Sequence, residues 1–167
     1  MKTPKPTPEA EAAIAAAVSK AAGLPRAKAV HIDPLALASA EDQPLPAALC
    51  DDPLAKKSPA EWAYDRLILY IRNFESQLDS DQEVAMGSAG SDAGVLTIEG
   101  LGFFEPDLVT FYGRDENGMK TQLIQHVTQL SVMLRAIPKL RAEEPPRRIG
   151  FRLSTGWSGG ESGDGSA

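Results

Sequence analysis

The amino-acid sequence predicts an α+β fold, a two-layer sandwich with an antiparallel sheet of four or five strands and two helices on one face. Three observations predict it. A helix start signal at Ser58 opens a run of apolar residues at helical spacing. A strand–turn–strand pattern occupies Leu108 to Ile124. A second stretch with helical spacing follows it directly.

In chain order, residues 1–57 carry eight of the thirteen prolines. They predict a disordered or loosely docked Ala/Pro-rich arm with a transient helix over Thr7–Ala22. The folded domain is expected over 58–153 and a disordered Gly/Ser-rich tail over 154–167. Ser58-Pro59-Ala60-Glu61 is a capping box with proline at the first helical position, where a missing N–H costs no bond. From there Trp62, Leu67, Ile71, Phe74 and Leu78 recur at helical spacing, which places Asp65, Arg66, Arg72 and Glu75 toward solvent and ends the helix near Asp79.

The strands follow. EVAMGS (83–88) reads as a strand of low propensity and GVLTIEG (94–100) as a better one. GLGFFEPD (100–107) reads as a connection whose Phe103 and Phe104 plug the edge of the core. DLVTFYG (107–113) is dense in β-branched and aromatic residues. Asp115-Glu116-Asn117-Gly118 is a hairpin turn, because Asn-Gly tolerates positive φ. In the returning strand Met119, Thr121 and Leu123 alternate with Lys120 and Gln122, so one face is wet. QHVTQLSVMLRAI (125–137) reads as the second helix, with Val127, Leu130, Met133, Leu134 and Ile137 along one side and Pro138 as its stop. RRIGFRL (147–153) reads as a short edge strand.

Several motifs invite chemistry and are better explained without it. Gly156-Trp157-Ser158-Gly159-Gly160 fits the nucleophile-elbow pattern but lacks the strand before it and the histidine after it. Asp79-Ser80-Asp81-Gln82-Glu83 begins like a calcium loop, yet Val84 and Gly90 stand where glycine and glutamate are required. Gly100-Leu101-Gly102 has no third glycine and no βαβ setting. His126, placed at the start of the second helix, reads as a neutral hydrogen-bonded residue rather than a general base. Two distant histidines and the single cysteine, Cys50, supply no zinc site of ordinary spacing, so no metal or cofactor is expected.

The net charge of −6 opposes nonspecific binding to nucleic acid or anionic membrane. No apolar run is long enough to span a bilayer, and one cysteine fits a reducing cytoplasm. Charge is divided along the chain. Nine acids lie against one base from Asp79 to Glu116, and six bases against two acids from Arg135 to Arg152. Lys139, Arg141, Arg147, Arg148 and Arg152 form the one basic cluster with functional promise.

SPAEWAYDRL, DLVTFYG, QLIQHVTQLSVML and RRIGF, in that order, resemble a small bacterial domain family of unknown function. The resemblance covers about Ser58 to Leu153 and implies a compact domain, without an activity or a functional residue. The leading expectation is a non-enzymatic protein-interaction or self-association module whose partner is another protein or a second copy. The alternatives are a binder of nucleic acid or an anionic ligand through 139–152, and an enzyme centred on His126.

Overall fold

The helix start at Ser58 forms as its sequence dictates. The Ser58 hydroxyl accepts from the Glu61 N–H at 3.2 Å, and α1 runs Pro59–Ser76 with Pro59 in its first turn. The computed structural model describes residues 7–10, 27–44, 46, 56–88, 92 and 94–154. The expected helix over 7–22 and the tail beyond Ser154, with its G-x-S-x-G pattern, lie almost wholly outside them.

Five strands follow α1: β1 (Gln82–Ser88), β2 (Val95–Phe104), β3 (Leu108–Arg114), β4 (Lys120–His126) and β5 (Val132–Pro138). They form one antiparallel sheet in the order β4-β3-β2-β1-β5. The fold is α+β. The β3–β4 turn closes on Asp115, whose carbonyl accepts from Gly118 and whose side chain accepts from Asn117 and Met119; only Gly118, at φ 78°, takes the left-handed conformation.

Two expectations about the elements are corrected. Residues 125–137 are not a helix. They form the end of β4, a 3-10 turn (Val127–Gln129) and β5, which pairs with β1 over seven positions from Gln82↔Pro138 to Ser88↔Val132. A short apolar run fits both periods, and the open edge of β1 decides between them. RRIGFRL is not a strand either. Residues 145–149 are irregular and Gly150–Ser154 form a short helix, α2, because carboxylates rather than a neighbouring strand take their backbone N–H groups.

Of the connection expected at 100–107, residues 100–104 are instead the second half of β2, and 105–107 turn into β3. A bulge at Glu99, between the pairs Ile98↔Gly113 and Gly100↔Tyr112, explains why the alternation was hidden. Leu96 and Ile98 face the core on one parity, and Leu101 and Phe103 face it on the other. One extra residue in the strand reconciles them. Phe103 packs on Tyr64 with ring centroids 5.1 Å apart, whereas Phe104 points out and is 74% exposed.

The sheet is strongly coiled. β4 ends level with the C-terminal end of β2, since His126 pairs with Leu108 and Leu108 with Phe104. β5 begins level with the opposite end, since Val132 pairs with Ser88 beside the Gly87↔Val95 pair. At about 3.3 Å per residue, the length of β2 alone exceeds what residues 127–131 can span beside a 3-10 turn. Coiling brings the two ends together. It encloses a core of Val84, Met86, Leu96, Ile98, Val109 and Phe111, and α1 closes it with Ile71. Each such large apolar side chain contributes about 1.5–3 kcal/mol on full burial.

Part of the N-terminal arm lies against α1. Ala40 is buried, the Tyr70 hydroxyl donates to the Glu41 carboxylate, and Gln77 Nε2 donates to the Ala38 carbonyl at 3.3 Å.

Candidate functional site

The basic segment is split by the fold. Lys139 and Arg141 leave the end of β5 on an exposed loop, where Arg141 pairs with Glu144 at 3.0 Å. Arg147, Arg148 and Arg152 instead come together beside β2. There β1 and β2 pair only at Met86↔Leu96 and Gly87↔Val95 and then splay apart, and residues 145–153 occupy the opening.

Two acids on core-facing elements hold that segment. Glu83 Oε1 accepts from the Arg147 N–H at 2.8 Å, and Glu75 Oε1 accepts from Ile149 and Gly150 at 2.9 and 3.0 Å. Arg148 donates to the carbonyls of Gln82 and Asp79 at 2.6 and 2.9 Å. Burial raises Glu75 above the ordinary carboxylate range, opposed by its two N–H donors and the charge of Arg148. Glu83 Oε2 is buried without a hydrogen-bond partner. The segment therefore frames a cavity of about 500 Å³ lined by the three arginines, Ile98, Ile149 and Leu153.

Glu75 and Asp65 were both expected at the surface and are both buried. Asp65 meets Lys57 Nζ at 2.7 Å under the ring of Trp62. A signal for both was present. Asp65, Ile68, Ile71 and Glu75 recur every three or four residues, so the acids lie on the buried stripe itself.

His126 stands at the end of β4 rather than in a helix. Its Nε2 lies 3.0 Å from Asp107 Oδ2, and its Nδ1 accepts from the Thr128 N–H at 3.2 Å with the Thr128 hydroxyl at 2.7 Å. Both ring nitrogens are thus engaged, Nδ1 in capping the 3-10 turn and Nε2 with Asp107. The arginine-lined cavity is built from other residues. Among the described residues no three metal-ligating side chains cluster, and no helix is long and apolar enough to cross a membrane.

The second feature is the β4 edge. β4 holds continuous register with β3 from Arg114↔Lys120 to Leu108↔His126, and among the described residues no strand pairs with its other side. It carries no proline and no bulge, and one charge, Lys120. On the convex face beside it Ile124 and Tyr112 are 59% and 43% exposed. Gln125 Oε1 is buried without a partner. The β5 edge differs: Arg135 sits at its centre and Pro138 ends it.

Residues 54–152 match a family described as a family of unknown function, DUF6173. No curated protein and no solved structure matches the chain.

Proposed function

We propose, for a chain that belongs to the DUF6173 family, a role as a non-enzymatic interaction module that self-associates through β4. The carrying observation is an uninterrupted edge strand beside exposed Ile124 and Tyr112. Unpaired edges template further strands unless charge, proline or a bulge blunts them. β4 has the least such protection. Two copies of β5 would set Arg135 against Arg135 and offer Pro138, which has no N–H.

Pairing two β4 strands about a two-fold axis at Leu123 sets Gln122 opposite Ile124 and Thr121 opposite Gln125 of the second copy. The first pair covers exposed apolar surface. A two-fold contact closes after one addition, giving a dimer rather than a fibre.

Sedimentation of the full chain over a concentration series tests this. Wild type is expected to dimerise. Lysines at both 122 and 124 (Gln122→Lys with Ile124→Lys) place like charges opposite each other and are expected to give a monomer. Gln122→Glu with Ile124→Lys restores complementary pairs and the dimer. A wild-type monomer throughout, or a dimer indifferent to the double-lysine change, rules the reading out.

A further inference from the structure

We infer that the cavity between β2 and residues 145–153 binds a small organic anion. Arg147 and Arg148 take its acidic group, and Ile98, Ile149 and Leu153 receive its apolar part. This rests on a different surface from the β4 edge and stands apart from self-association.

The charge of the cavity favours an anion. Glu99, the acid in its lining, is paired with Arg114 at 3.0 Å. Among the described residues no carboxylate lies within ion-pair distance of Arg147 or Arg148. Arg148 spends donors on two carbonyls, which satisfy hydrogen bonds without pairing its charge directly, although that charge also acts on Glu75 from beyond ion-pair distance. Arg147 makes one long bond, from Nη2 to the Ile98 carbonyl at 3.4 Å. A guanidinium has five N–H donors in a planar fork suited to carboxylate or phosphate, so most of those on Arg147 remain for a ligand.

The site is also held open. The N–H groups of Arg147, Ile149 and Gly150 are anchored to Glu83 and Glu75, so the segment cannot fold into the space it frames. At about 500 Å³ the cavity is of the size that takes a small molecule. A ligand with an apolar group as well as an acid uses both halves of the lining.

Calorimetric titration of the full chain tests this with phenyl phosphate and benzoate, against inorganic phosphate and benzyl alcohol. At least one aromatic anion is expected to bind saturably at one site, and which one does so identifies the acidic group preferred. Inorganic phosphate and benzyl alcohol are expected to bind at least about ten-fold more weakly, each having lost one half of the recognition. Arg147→Ala is expected to weaken binding by a similar factor and Lys139→Ala, outside the cavity, to leave it unchanged. Arg147→Lys keeps charge and the backbone bond to Glu83, and is expected to fold and still bind more weakly for want of the planar fork. Three results would overturn the inference: no saturable binding of either aromatic anion, equal affinity for inorganic phosphate, or equal weakening by Lys139→Ala.

Discussion

Lys57 Nζ stands 2.7 Å from Asp65 Oδ2 with both side chains sealed from solvent, and the Trp62 ring covers the ammonium from 4.8 Å. A charge pair removed from water holds only while both partners remain. Asp65→Ala is therefore expected to lower stability by about 3–5 kcal/mol in urea denaturation, by removing the carboxylate that pairs with the buried lysine. Lys57→Met combined with Asp65→Leu is expected to recover most of that loss. An Asp65→Ala chain that unfolds at the wild-type midpoint would contradict this.

Glu75 gives the stability a particular pH dependence. Burial raises it above the ordinary value of 4.5, so the folded state holds the proton more tightly than the unfolded chain. Stabilisation from protonation is complete below 4.5 and is lost as pH rises through the raised folded value. Glu75→Gln keeps an oxygen to accept from Ile149 and Gly150 and removes the charge. Its stability is expected to stay flatter than wild type in that window and to be no lower at neutral pH. Denaturant midpoints across the pH series provide the comparison, and parallel curves would refute it.

Gly113 is fixed by close approach. A Cβ there would lie 2.1 Å from the Thr97 carbonyl oxygen and 3.0 Å from Leu96 Cγ. Gly113→Ala forces β2 and β3 apart and is expected to cost at least about 2 kcal/mol. Gly118→Ala meets nothing within 4 Å and suffers only from φ 78°. Its cost is expected to be about 1 kcal/mol. Equal thermal shifts for the two would show that the contact at Gly113 is relieved cheaply.

The Tyr70 hydroxyl ties residues 38–43 to α1 through Glu41, and this bond is the largest cause that lowers Glu41 below its ordinary 4.5. A lowered folded value means docking strength present above 4.5 and lost as pH falls through the folded value. Tyr70→Phe is expected to lower the amide-exchange protection factors of Asp42 and Gln43 at neutral pH to the values wild type shows only in acid. Unchanged exchange in the variant would place the docking elsewhere.

Much of the fold was legible in local pattern. The capping box, α1, β1, β3, the Asp115–Gly118 turn and β4 are set by residues within a few positions of one another. β5 was not, because Val132–Pro138 becomes a strand only when β1 offers its edge from fifty residues away in the chain. β2 hid behind a parity change, since Glu99 had to be recognised as an extra residue for Leu101 and Phe103 to fall on the core side. Of the basic cluster, spacing alone could not separate Arg147, Arg148 and Arg152 from Lys139 and Arg141. That division depends on Glu75 and Glu83, whose buried positions arise from tertiary packing.

The pairing of β1 with β5 also dictates an order of assembly. As the chain leaves the ribosome, α1 and the β2–β3–β4 meander can form while β1, with its apolar Val84-Ala85-Met86, holds only two register pairs with β2. Its remaining backbone groups wait for Val132–Pro138 to be synthesised. A nascent chain stalled in that interval presents a bare apolar strand, the kind of edge that aggregates unless it is covered.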